Sequence, residues 1–471
     1  MKQITVERCE LYLLPVKTRV PLKFGAETLT EVTCARVKLV CRDEQHRQIV
    51  GWGETPLSVQ WVWPSSLAYA EREQALVDFA SRLARQWAGF ETGGHAVDVG
   101  YRFLTEQLPG LRDRFNDEQR PNSEALPLLA SLICCSPFDI AFHDAFGKAN
   151  EAPTYALYGS DSMQRDLAAY FGDERFSGRY IADYLGPPEG STSLPAWHLV
   201  GGKDAVRESE LSGDEPEDGY PSVLSHWIER DGLRCLKVKL QGTDPEWDIA
   251  RLSEVGQVGF PRGVEWLSAD FNCRVTDPEY VNRILDHLRD GNPRLYGALL
   301  YVEQPFPYDL EAHAMDVHSV SARKPLFMDE SAHDWRVVRR GHELGWTGVA
   351  LKTCKTQTGA LLSLCWAREH GMQIMVQDLT NPMLAQIPHL QLGYYAGTIM
   401  GVETNSMQFY PRASEPEARV HPGAYTRVHG AVDLQSMLGR PGFGYRVNEI
   451  DRKLPEPTVV ADGSPHRRKY G

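Results

Sequence analysis

The sequence predicts an α/β protein in which a (β/α)8 barrel follows a smaller α+β unit. Two observations carry this. Beyond residue 230, short apolar runs start near 235, 266, 298, 325, 349, 373 and 398, and helical segments lie between them. Strands alternating with helices at that spacing make βαβ units and a parallel sheet. A further candidate strand at 195–200 brings the total to eight, the number and size of a closed barrel. The first 128 residues read differently, as strands followed by one long helix.

Ile4 to Leu14 and Val32 to Cys41 alternate apolar and polar residues, and a third run ends in Gly51-Trp52-Gly53-Glu54. Three such runs predict an antiparallel meander. Lys17 to Thr30 is polar and reads as a connecting loop. Ala70, Ala75, Leu76, Phe79 and Leu83 give the stretch 66–87 a helical apolar face. In the barrel region, Asp244-Pro245-Glu246 and Asp277-Pro278-Glu279 are helix starts, with an N-cap and Pro at the first position. Gln357 to His370 is amphipathic and stops at Gly371. The stretch 201–222 holds seven acids against Lys203 and Arg207 and reads as a solvated loop without catalytic role. The basic tail from Gly463 onward reads as frayed.

Composition narrows the function. The 471 residues carry a net charge of −13, which argues against nucleic-acid or anionic-membrane partners. No uninterrupted apolar run is long enough to span a bilayer, and the N-terminus lacks a signal-peptide core, so a cytoplasmic protein is expected. The nine scattered cysteines include no C-x-x-C pair and read as reduced thiols.

A barrel carries its site at the C-terminal ends of its strands. The polar residues ending the apolar runs are, in order, Lys237 and Lys239, Asp270, Glu303, Asp329, Lys352, Gln377-Asp378 and Glu403. Asp270, Glu303 and Asp329 on adjacent strands form a hard oxygen set suited to Mg²⁺. Lys237 and Lys239, at i and i+2, point to one side of their strand. Lys352 stands on the sixth strand, across the mouth, so two lysines face each other over a cation.

The series Lys237-Val238-Lys239, Asp270-Phe271-Asn272, Glu303-Gln304-Pro305, Asp329-Glu330-Ser331 and Leu351-Lys352-Thr353 resembles the enolase superfamily, and within it the muconate-lactonizing-enzyme subgroup. Gly51-Trp52-Gly53-Glu54 and the helix segment Ser136 to Asp144 are similar to the same family. The resemblance implies an α+β capping domain formed by residues 1–128 and the returning C-terminal segment 410–471, over a modified (β/α)8 TIM barrel at 129–409. It implies Mg²⁺ on Asp270, Glu303 and Asp329, Lys239 as base on one face, Lys352 as acid or base on the other, and Lys237 stabilising negative charge. Lys355 is read as structural. The implied reaction removes the proton α to the carboxylate of a small-molecule substrate to give an enediolate, with racemisation or epimerisation as the leading outcome and dehydration or cycloisomerisation as alternatives. A catalytically inactive binding barrel is the alternative of another class. A homo-oligomer is expected. The mandelate-racemase branch, which needs a His on strand seven and an Asp on strand six, does not match. Asn272, Asp378, Glu403, Lys23 and Trp61 are the expected substrate-binding residues, with Trp63 placed in the same capping loop as Trp61.

Overall fold

A computed structural model describes residues 1–24, 27–90 and 93–463. Strands β1 (Ile4–Phe24), β2 (Glu27–Asp43) and β3 (Gln48–Pro56) form the expected meander. Its first hairpin is far longer than expected. The β1–β2 ladder runs from Ile4 opposite Asp43 to Lys23 opposite Thr28, so most of the anticipated loop 17–30 is strand. Its polar residues hid this, because the arm buries few positions, among them Leu22, Leu29 and Val32, which pack with Leu199, Met383, Phe409 and Tyr410. A register shift between Lys17 and Leu22 marks a bulge in the arm.

The two short motifs at 51–54 and 136–144 meet in space. The helix Leu128–Ala149 lies across β3. A Cβ on Gly53 would sit 2.1 Å from the Pro137 carbonyl oxygen, and one on Gly51 would sit 2.0 Å from that of Ala141. Only glycine allows strand and helix to approach this closely. The Trp52 amide donates to Asp144 Oδ2 at 2.9 Å, and the Thr55 and Ser136 hydroxyls pair at 2.8 Å. This helix is the one described helix with the length and apolarity of a membrane span, but 94% of its apolar window is buried, as in a core helix.

The barrel strands are β4 (Ser193–Val200), β5 (Cys235–Lys239), β6 (Trp266–Asp270), β7 (Leu299–Glu303), β8 (Leu326–Met328), β9 (Gly348–Leu351), β10 (Gln373–Val376) and β11 (Val402–Glu403). Neighbours pair in parallel in the order β10-β9-β8-β7-β6-β5-β4-β11. Trp197, Cys235, Tyr301, Phe327 and Met375 form one buried cluster contributed by five of these strands. Asp244 and Asp277 cap their helices as expected, each accepting a backbone N–H from two residues on. The last strand starts at 402 rather than 398, because Gly397 and Gly401 take positive φ and form a turn.

The C-terminal segment returns to both layers. Strand β12 (Ala431–Asp433) pairs antiparallel with β4, and β13 (Val459–Asp462) pairs with β1. Glu417 is fully buried between Arg36 of β2, at 3.2 Å, and Arg452, at 2.6 Å. Arg36 also pairs with Glu54 of β3, closing a compensated buried cluster. The acidic stretch 201–222 is not a free loop. Arg19 of the hairpin holds it, and Ala205 forms a bridge with Val223. Of the basic tail, the segment 464–471 lies outside the described residues.

Candidate active site

Each expected strand-end residue except Asn272 projects into one charged network. On β5, Lys239 Nζ donates to Asp270 Oδ2 at 2.5 Å. Lys237, the residue two before it, donates to Glu303 Oε1 at 2.6 Å and Glu403 Oε2 at 2.9 Å, and stands 3.2 Å from Asp270 Oδ2. The i, i+2 spacing therefore aims both amines into the barrel, as the pleat requires. Lys352, just past β9, stands 3.3 Å from Asp329 Oδ2 and donates to the Asp378 carbonyl at 3.0 Å. All these side chains are buried.

Electrostatics sorts the groups. Burial opposes the charge of Asp270, but Lys239 and Lys237 outweigh it and hold the carboxyl below its usual range. Burial, followed by the negative charge of Asp270, pushes Glu303 well up. Burial works against the ammonium of Lys352, yet Asp329 leaves it held above the ordinary lysine value. Lys237 is likewise held charged, by Glu303 and Glu403 against the cost of burial.

Supporting residues fix this geometry. Gln304 Oε1 accepts from the Asp329 amide at 2.7 Å and the Ser331 hydroxyl at 2.8 Å, bracing the end of β8. Gln377 Nε2 donates to Glu303 Oε2 at 2.5 Å and to the Tyr301 hydroxyl at 3.2 Å. Asn405 donates to both Glu403 and Asp378, so these two acids are engaged within the protein. Lys355 is the residue read as structural. It is buried in the 3-10 turn that connects β9 to the next helix, with its ammonium on the Asp329 carbonyl and 3.6 Å from Asp329 Oδ1.

A cavity of about 50 Å³ opens onto Lys237, Lys239, Asp329, Lys352, Asp378 and Glu403. Its roof is apolar: Leu22 and Leu29 from the hairpin and Trp61 from the cap, with Leu199 and Leu379 at the side. Trp61 donates its indole N–H to Glu330 at 3.0 Å and lies 5.4 Å from the Lys352 ammonium. Two of the expected substrate contacts stand elsewhere. Asn272 does not line the cavity; its positive φ turns the chain after β6, and its amide donates to Asp270 Oδ1 at 2.9 Å. Lys23 does not line it either, and its carbonyl accepts from the Gly202 amide. Trp63 turns away to bind Glu124.

Among the described residues, no three His, Cys, Asp or Glu side chains stand in ready metal-holding geometry. The lysine ammonium groups take the carboxylate oxygens instead. The donor set still fits a hard divalent cation. Three carboxylates come from consecutive strand ends, Asp329 Oδ1 is buried without a hydrogen-bond partner, and Glu303 suffers repulsion from Asp270 and Asp329 that such a cation relieves.

Comparison with known proteins matches this architecture. Residues 222–451 match the family model described as enolase C-terminal domain-like. An L-Ala-D/L-amino acid epimerase of Pedosphaera parvula is 26% identical over 233 residues, which cover 48% of this chain and 58% of that protein. The chain thus spans little more than half the length of this curated relative. An N-succinyl Arg/Lys racemase from Bacillus cereus superposes over 98% of this chain and 99% of its own, with TM-score 0.61 and 16% identity. A dipeptide epimerase from Enterococcus faecalis, complexed with Mg and the dipeptide L-Leu-L-Tyr, superposes over 93% and 99%, with TM-score 0.61 and 15% identity. Residues 222–451 thus resemble the enolase C-terminal domain-like family, and the barrel with its cap shares the fold of these solved structures.

Proposed function

We propose that the protein uses Mg²⁺ to remove the proton α to a carboxylate and returns a proton to the opposite face, acting as a racemase or epimerase of an acid or amino-acid derivative. The observation that carries this reading is the placement of Lys239 and Lys352. They stem from β5 and β9, four strands apart in a ring of eight, and line one cavity beside Asp329.

Asp270, Glu303 and Asp329 would hold the cation, which supplies Lewis-acid charge against the negative charge that develops on the substrate carboxylate. Lys239, in its amine form, takes the α-proton on its face. Lys352, whose ammonium Asp329 favours, delivers a proton on the other face, and in the reverse direction the two exchange roles. Lys237 stays charged between Glu303 and Glu403 and provides a preorganised positive group that need not reorient during the reaction. The roof of Leu22, Leu29 and Trp61 keeps water from the reacting carbon. The epimerase relative, which matches 48% of the chain, supports the choice of an epimerisation outcome.

The test is α-proton exchange followed by NMR in D₂O with Mg²⁺, over a panel of dipeptides, N-acylamino acids and acid sugars. Exchange with inversion of configuration is expected for at least one class, and chelation of the metal should stop it. Exchange in none of them points to a non-catalytic barrel. Loss of a β-substituent identifies a dehydratase.

A further inference from the structure

The acidic stretch 201–222 does not contribute to the charged network, yet it is tied to the hairpin that supplies Leu22 and Leu29 to the roof of the cavity. Arg19 lies on β1 of the long hairpin, and its side chain is only 5% exposed. Its Nε donates to Asp218 Oδ2 at 2.7 Å, its Nη1 to the Pro221 carbonyl at 3.1 Å, and its Nη2 to the Tyr220 carbonyl at 2.8 Å and the Ser222 hydroxyl at 3.1 Å. At the other end of the stretch, the Gly202 amide donates to the Lys23 carbonyl at 3.2 Å. The stretch thus grips the hairpin on either side of Leu22, which with Leu29 closes the cavity.

Two further observations give this grip a function. The cavity of about 50 Å³ has room for about three or four water molecules, whereas sites for small organic ligands run from roughly 300 Å³ upward. An amino-acid derivative therefore enters only when the lining opens, and the hairpin supplies Leu22 and Leu29 of that lining. The contact between the stretch and the hairpin is polar, whereas Leu22 and Leu29 of the same hairpin pack with Leu199, Met383, Phe409 and Tyr410. A second cavity of about 330 Å³ separates the stretch from β4, lined by Arg19, Val20 and Pro21 of the hairpin together with His198, Glu210 and Gln408. Within it, His198 Nδ1 and Gln408 Oε1 are buried without hydrogen-bond partners. The stretch's own hold on the hairpin, directed hydrogen bonds over a loosely filled space, can release and re-form locally, and it adds to the apolar packing that seats Leu22 and Leu29.

We infer that residues 201–222 form a strap that holds the β1–β2 hairpin down over the reaction site, with Arg19 as the positioning residue through which the strap acts. This rests on the strand-end cavity being the reaction site. Its test does not depend on turnover.

The experiment is hydrogen–deuterium exchange of the full chain, read on peptides covering 17–23, 27–32 and 201–222, with peptides from β5 to β9 as reference. Arg19→Ala removes four hydrogen bonds donated by a charged group, one of them an ion pair with Asp218. It should raise hairpin exchange on the order of tenfold or more while leaving the reference strands unchanged. Arg19→Lys, which keeps the charge but not the fork of donors, should fall between. Asp218→Asn combined with Ser222→Ala should move the hairpin peptides in the same direction without any change on β1 itself. With a substrate in hand, Arg19→Ala should shift KM and kcat unequally, since closure and not chemistry is altered. Unchanged hairpin exchange in Arg19→Ala overturns the inference. So does exchange that rises equally across the barrel strands, because Arg19 would then be a general stability contact.

Discussion

Gly53→Ala is the sharpest test of how the cap is seated. The added Cβ would lie 2.1 Å from the Pro137 carbonyl oxygen and 2.7 Å from the Ala141 amide nitrogen. Both are backbone atoms of a buried helix, so no side chain can rotate away. Ordinary contact begins near 3.4 Å, so strand and helix must part by more than an ångström. That parting strains the Trp52–Asp144 and Thr55–Ser136 hydrogen bonds that fasten the same surfaces. Overpacking in a rigid core costs about 1–3 kcal/mol, and the absence of any yielding group puts this case at the upper end, about 3 kcal/mol. At about 2.1 cal/mol/K per residue, the unfolding entropy of a chain this size is about 1 kcal/mol/K, so the melting temperature should fall by about 3 °C, and by more if the cap melts alone. Differential scanning calorimetry reads this directly. A melting temperature within 1 °C of the parent would refute the argument that backbone contact dictates glycine here.

Three further outcomes are expected. Glu417→Ala leaves Arg36 sharing Glu54 and leaves Arg452 without its carboxylate; since Arg452 can turn toward solvent, the loss should be near 3 kcal/mol, the low end for a broken buried pair, and an unchanged urea midpoint would contradict it. Burial holds His389 neutral, with its pKa lowered to about 4 while Nε2 pairs with the Glu403 carbonyl. Its unfolded value is higher, so its contribution is complete above about pH 6.5 and is lost as pH falls toward 4, amounting to about 3 kcal/mol. His389→Gln should therefore flatten the acid limb of the stability profile, and parallel profiles for the two proteins would reject this. Gln304→Leu removes the acceptor that braces Asp329 and should weaken Mg²⁺ binding about tenfold, measured by titration calorimetry; equal affinity would show that the brace is dispensable.

The barrel was legible because each strand is a short apolar run closed by a polar residue at the site end, and the period of those runs survives without tertiary information. The carboxylate and lysine series was legible for the same reason, since strand order places it around one mouth. The hairpin arm was not. An exposed ladder carries little hydrophobic pattern, and Arg19 or Lys23 looks like loop composition until its partners are known. Lys355 was hidden because a 3-10 turn sends it back toward Asp329, a direction that neither a two-residue nor a 3.6-residue period encodes. Nor does composition disclose that Asp218 of the acidic stretch pairs with an arginine from 199 residues earlier in the chain.

The central claim is that Lys239 and Lys352 address opposite faces of one carbon. The direct measurement is α-proton exchange in D₂O for each enantiomer or epimer of a substrate, with Lys239→Ala and Lys352→Ala compared at saturating Mg²⁺. Net inversion should vanish in both variants while metal binding persists, and each variant should retain exchange for one stereoisomer only, the two being opposite. Full inversion in either variant, or loss of the same stereoisomer's exchange in both, would contradict the two-faced site.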